Sequence, residues 1–289
     1  MNGSAPQAAW TGAMRRRIGL ALEAAFAARP QTEVLRAARY VTQGAGHRWR
    51  GLAAVAAGGL FRGDAEACAL PLAAALEMMH AASLALDDLP SMDGARTRRG
   101  KACAHRAFAG WTMDLLPAYL VNLAYHVAAD NPLAPEACRI RSLVALGEMG
   151  TRLACGQEGD LALARERVSG DELLACYALK SGAPFAAALE GGALLCGAGP
   201  SDAAALREAG VELGQAYQIL DDMADGPEEA GRCTALTLFG AEGARARAER
   251  LLAEAEARLG RFGAAAGRLR EVLGEILPRA GAPGRQRPE

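Results

Sequence analysis

Residues 76–101 read LEMMHAASLALDDLPSMDGARTRRGK: an apolar run of Ala, Leu and Met leads into two adjacent carboxylates, Asp87 and Asp88. Pro90 interrupts the helical hydrogen-bond ladder within a turn, so the acids fall at a helix end. Asp93 follows after four intervening residues, and Arg96-Thr97-Arg98-Arg99-Gly100-Lys101 then places four cations within six positions. Three carboxylates this close repel one another unless a cation sits between them, and oxygen-only ligands suit a hard divalent ion such as Mg²⁺. The arginines and the lysine downstream supply forked and point-charge donors for phosphate oxygens. On this segment alone, a solvated acidic helix end paired with a basic loop remains the alternative.

A second acidic cluster decides between them. Residues 210–225 read GVELGQAYQILDDMAD, in which Asp221 and Asp225 share one helical face with Asp222 beside them. Like charges at that spacing destabilise a helix slightly, so a cationic partner is again expected. Two such clusters on separate apolar helices point to one divalent-metal and phosphate chemistry.

With these residues in view, the chain resembles the trans-isoprenyl diphosphate synthases, most closely their bacterial geranylgeranyl/farnesyl diphosphate synthase branch. The first aspartate-rich motif of that family has its counterpart in Asp87-Asp88-Leu89-Pro90-Ser91-Met92-Asp93, followed by Arg98-Arg99-Gly100-Lys101. The second matches Gln218-Ile219-Leu220-Asp221-Asp222-Met223-Ala224-Asp225. Weaker likenesses are Gly156-Gln157-Glu158-Gly159-Asp160-Leu161 to the family's GGQxxDL, Lys180-Ser181-Gly182 to its KTG, and residues 44–51 to its GGKRLRP. In the last, His47 replaces the usual Lys and Gly51 the usual Pro.

The resemblance implies an all-α, single-domain isoprenoid-synthase bundle around a central apolar cavity, spanning residues 1–289 with flexible ends at 1–9 and 279–289. It implies a Mg²⁺-dependent (2E)-prenyl diphosphate synthase that condenses isopentenyl diphosphate with an allylic diphosphate. Asp87, Asp88, Asp93, Asp221 and Asp225 would hold three Mg²⁺ ions with bound diphosphate, and Asp222 would act through water. Arg98, Lys180, Ser181 and Gln218 match positions that touch the allylic diphosphate or steady the carbocation. His47, Arg50, His80 and Arg99 match those that hold isopentenyl diphosphate. The family's two lysines after the second motif are missing, and Arg232 is the residue that could replace one.

Ala82, five residues before Asp87, and Ser83 are small where an aromatic ring closes the tunnel in farnesyl-producing relatives. Met78 and Met79 lie one turn deeper and could floor the cavity. A C20 product, geranylgeranyl diphosphate, is therefore expected, with C15 or C25 as alternatives. The missing lysines also suggest a different class of role, the catalytically weak regulatory subunit of a heteromeric synthase. A class I terpene cyclase is disfavoured by the Arg98-Arg99-Gly100-Lys101 block. The family implies a homodimer, or a heteromer with another synthase subunit.

Composition agrees with one large helical core. The 289 residues are 51% hydrophobic, Ala and Leu dominate, and aromatic residues make up 5%. A formal net charge of −1 gives no reason to expect nucleic acid. Of 32 basic residues only Lys101 and Lys180 are lysines, and both fall on motif positions. Seven cysteines without CxxC spacing suit buried reduced thiols in a cytoplasmic protein. No apolar run reaches membrane-spanning length without a charge. Apolar spacing and breakers predict helices over about 10–29, 32–41, 52–60, 65–89, 111–129, 135–167, 171–196, 201–225, 240–259 and 262–277.

Overall fold

The computed structural model describes residues 4–43, 46–163, 168–225 and 233–277. The elements, in order, are α1 (Ser4–Ala27), α2 (Glu33–Thr42), α3 (Trp49–Gly58), α4 (Ala65–Cys68) and α5 (Leu70–Asp87). A two-residue hairpin follows, β1 (Thr97–Arg98) and β2 (Lys101–Ala102), then α6 (Ala104–Ala107), α7 (Gly110–Ala129) and α8 (Glu136–Leu163). Next come α9 (Gly170–Tyr177), a π turn (Ala178–Gly182), α10 (Ala183–Leu195), α11 (Pro200–Asp225), α12 (Ala235–Gly260), a 3₁₀ turn (Gly263–Ala266) and α13 (Gly267–Ile276). The fold is all-α, as expected.

Local chemistry explains most boundaries. Thr32 caps α2 by accepting from the Leu35 amide at 3.2 Å, and Ser169 with Glu172 forms a capping box on α9. Three expectations need correction. The helix predicted over 65–89 is two, because Pro71 can sit only in a first turn and restarts the helix as α5. α3 begins at Trp49, inside what the glycine spacing marked as a loop, with Arg48 as its left-handed cap (φ 54°). α12 begins at Ala235 and kinks at Gly240 (φ 68°), which the periodicity took for a start.

The hairpin was not foreseen. Arg99 and Gly100 both take positive φ (54° and 75°), the backbone of a tight two-residue turn, and Arg98 pairs with Lys101 across it.

α3 and α10 are buried along nearly their whole length and pack on each other, with α5 against α3 and α7. A helix that is apolar all round belongs in a core. Around these three lie α1, α2, α8, α11 and α13, and Phe26, Ile18, Leu52, Leu76 and Leu120 are among the wholly enclosed side chains of the largest core cluster. Cys68, Cys103, Cys176 and Cys196 are buried free thiols as expected, whereas Cys155 is exposed. Among the described residues, no helix is long and apolar enough to cross a membrane.

Candidate active site

The end of α5 folds back on itself. The Asp93 amide donates to the Asp87 carbonyl at 2.9 Å and the Gly94 amide to the Leu89 carbonyl at 3.0 Å, returning Asp93 to the helix terminus that carries Asp87. Asp88 is 4% exposed and is gripped by Arg98 from the hairpin: Nε lies 2.8 and 3.0 Å from its two oxygens and Nη2 2.7 Å from Oδ1. Burial pushes the Asp87 carboxyl up to about 6; Lys180 opposes the shift and Asp93 adds to it. Burial also raises the Cys103 thiol to about 11, reinforced by its hydrogen bond to Asp88.

Lys180 and Ser181 come from the π turn between α9 and α10. Two glycines let neighbouring helices approach its backbone. A Cβ on Gly156 of α8 would stand 2.6 Å from the Lys180 nitrogen, and one on Gly214 of α11 2.3 Å from the Ser181 carbonyl oxygen. Clamped in this way, Lys180 donates to Asp160 at 2.6 Å, and Ser181 donates to Gln218 at 2.7 Å. Gln218 in turn donates to Asp222 at 3.0 Å, and the second oxygen of Asp222 accepts from the Tyr177 hydroxyl and, at 2.9 Å, from the Ala235 amide. Burial raises Asp222, and those three bonds pull it back.

A cationic group lies further back along α5. His80 is held well below its ordinary value by burial, then by the charges of Arg50, Arg99, Arg98 and Arg48, so it is neutral. The Arg50 Nε is buried without a hydrogen-bond partner among the described residues. Arg99 lies against the Gly46 backbone. Glu77 is the acid that opposes the shifts of Arg50 and Arg99; it is 4% exposed, with Arg48 Nη1 3.5 Å from its Oε2. His47 is exposed, stacked on Trp49 at 4.9 Å, with Arg15 on the same indole at 5.0 Å.

Of the residues read as setting product length, Ala82, Met78 and Met79 are buried, while Ser83 donates to the His80 carbonyl at 2.9 Å. The Met79 methyl closes on α8, 3.2 Å from where a Cβ on Gly150 would stand. Arg232 and the side chain of Asp225 lie outside the described residues.

The structure thus brings Asp87, Asp88, Asp93, Arg98 and Lys180 into one electrostatic neighbourhood, and His80, Arg50 and Arg99 into another. Residues the sequence reading passed over are Glu77, Arg48, Tyr177 and Asp160. A lone acid inside an apolar helix was the signal for Glu77, and Asp160 stood in a quoted motif; nothing marked Tyr177. Among the described residues no three His, Cys, Asp or Glu side chains converge as a metal cluster. The donor set still fits a hard divalent cation, because it is all carboxylate oxygen and Asp87 is raised partly by its acidic neighbours Asp93 and Asp88, a repulsion such an ion relieves.

A family model described as polyprenyl synthetase matches residues 31–244. A geranylgeranyl diphosphate synthase of Pantoea ananas is 33% identical over 59% of this chain and 60% of its own length. A probable farnesyl diphosphate synthase of Bradyrhizobium diazoefficiens is 35% identical over 68% of this chain and 60% of its own length. The chain therefore spans 60% of the length of each of these curated relatives. The crystal structure of a geranyltransferase from Legionella pneumophila superposes with a TM-score of 0.86 at 28% identity, covering 95% of this chain and 97% of that one.

Proposed function

The chain belongs to the polyprenyl synthetase family, the trans-isoprenyl diphosphate synthases, and we propose that it joins isopentenyl diphosphate to an allylic diphosphate with geranylgeranyl diphosphate as the product. One observation carries the reading: α5 presents two anion-receiving groups. Asp87 and Asp88 stand with Lys180 and Arg98 at its C-terminal end, and neutral His80 stands with Arg50 and Arg99 seven residues earlier. Seven helical residues span about 10 Å, room for two diphosphates with their reacting carbons between them.

In this reading Lys180 and Arg98 receive the diphosphate of the allylic substrate as its C–O bond ionises, while Arg50, Arg99 and His80 hold isopentenyl diphosphate. Mg²⁺, when bound by Asp87, Asp88, Asp93, Asp221 and Asp225, supplies Lewis-acid neutralisation of the leaving group. Ser181 and Gln218 present fixed dipoles to the allylic cation, and the apolar faces of α5 and α8 keep water from it. The double bond of isopentenyl diphosphate attacks the cation, and the proton then lost passes to the departed diphosphate. No side-chain base is required.

Small Ala82 with Met79 one turn deeper supports C20 over C15. A homodimer is part of the reading: Trp111 and Leu115 on α7, and Ile140 and Val144 on α8, leave apolar side chains 53–67% exposed.

The test is the purified protein with Mg²⁺, isopentenyl diphosphate and each of dimethylallyl, geranyl and farnesyl diphosphate, with products identified by mass. A C20 product lost in Asp87→Ala and Asp221→Ala is expected. No turnover with any primer by folded protein overturns the reading.

A further inference from the structure

We infer that Glu77 is a positioning residue, whose buried carboxylate fixes the start of α3 and the arginines around it so that they receive the diphosphate of isopentenyl diphosphate. The inference rests on the function proposed above.

Glu77 sits one helical turn before His80 and is 4% exposed. A carboxylate taken out of water costs several kcal/mol unless it is paired and hydrogen-bonded, so its partners define its purpose. Its Oε1 accepts the Gly51 amide at 3.1 Å, one of the first-turn donors of α3 that no helical carbonyl can satisfy. Its Oε2 faces Arg48, and the Nη2 of that arginine donates to the carbonyl of Thr42, the last residue of α2, at 2.6 Å. Arg48 itself holds a left-handed backbone, φ 54°. These bonds therefore tie the end of α2 and the start of α3 to α5.

Arg50 lies in the turn so fixed. Burial lowers both Arg50 and Arg99, and for each the charge of Glu77 is the largest force opposing that shift. Among the described residues the buried Arg50 Nε has no hydrogen-bond partner, Glu77 included, so the acid acts on Arg50 through its charge without occupying that donor.

Two roles for such an acid predict opposite signs. An acid that merely balances charge lowers the positive potential of the pocket, and removing it would strengthen anion binding. A positioning acid does the reverse.

Glu77→Gln keeps the shape and an acceptor for the Gly51 amide but loses the charge that holds the arginines. The expected result is a rise of about tenfold in the Kd and KM for isopentenyl diphosphate, the loss of one charge-assisted contact. The KM of the allylic substrate, and kcat at saturation, should stay at wild-type values. Equal or tighter binding overturns the inference, as does a matching loss in both substrates and in kcat.

If Glu77→Gln does not fold, Glu77→Asp keeps the charge but draws it back from the Gly51 amide and Arg48, so a positioning acid predicts the same split and a mere balancing charge predicts unchanged binding. An unsplit result there also overturns the inference. Calorimetry on the wild type separates the two claims. Wild-type protein that binds no isopentenyl diphosphate overturns the proposed function and this inference with it. Wild-type binding matched by Glu77→Gln overturns the inference alone.

Discussion

The hydroxyl of Tyr177, at the end of α9, donates to the carboxylate of Asp222 on α11, 45 residues later in the chain. The Ala235 amide at the start of α12 reaches the same pair, 2.9 Å from Asp222 and 3.1 Å from Tyr177. An acid of the second cluster thus joins three helices.

Tyr177→Phe should therefore destabilise the fold. The ring still fits, but a buried carboxylate loses its strongest neutral donor, and about 1–3 kcal/mol of unfolding free energy should go with it. Denaturant unfolding measures this, and an unchanged midpoint would show that water replaces the phenol.

Arg98→Lys should lower both activity and stability. The forked contact with Asp88 uses Nε and Nη2 together, and an ammonium cannot reproduce it. The Asp88 side chain is only 6% exposed, so the unfolding free energy should also fall, by about 1–3 kcal/mol. Turnover should fall by about tenfold or more, the loss of a bidentate charged contact. Wild-type kcat in the lysine variant would sink the assignment of Arg98 to the leaving diphosphate.

The neutral state of His80 makes stability pH-dependent. The unfolded chain takes up this proton near pH 6.5, whereas the folded protein, with His80 partly buried and facing the charges of four arginines, does so only well below that. The folded state therefore loses stability as pH falls through the unfolded value. From pH 7.5 to 5.5 the loss attributable to His80 is about 1.4 kcal/mol. His80→Gln should lack that increment, so the two proteins should converge in relative stability at the lower pH. Parallel curves would mean that folding leaves the proton affinity of His80 unchanged.

Product length should respond to Ala82 and Met79 in opposite directions. Ala82→Phe places a ring in a site now 3% exposed, and should shorten the product to C15 at an overpacking cost of about 1–3 kcal/mol. Met79→Ala removes the methyl that closes on Gly150 and should lengthen the product beyond C20. Mass analysis of the products decides, and an unchanged length in both variants would move the floor of the cavity elsewhere.

The sequence by itself determined the helical class, the two aspartate clusters and their basic companions. Those features are local: apolar periodicity marks a helix, Pro90 ends one, and two carboxylate clusters on separate helices call for cationic partners. Only the tertiary structure decided which groups meet. Lys180 bonds Asp160 and lies within electrostatic range of Asp87, from a π turn on which glycines 156 and 214 let α8 and α11 close. Glu77, Arg48, Arg50 and Arg99 come from three segments and become one cluster through burial, and Tyr177 finds Asp222 across a helix interface. Such partnerships are fixed by packing between elements distant in sequence, and no local periodicity encodes them.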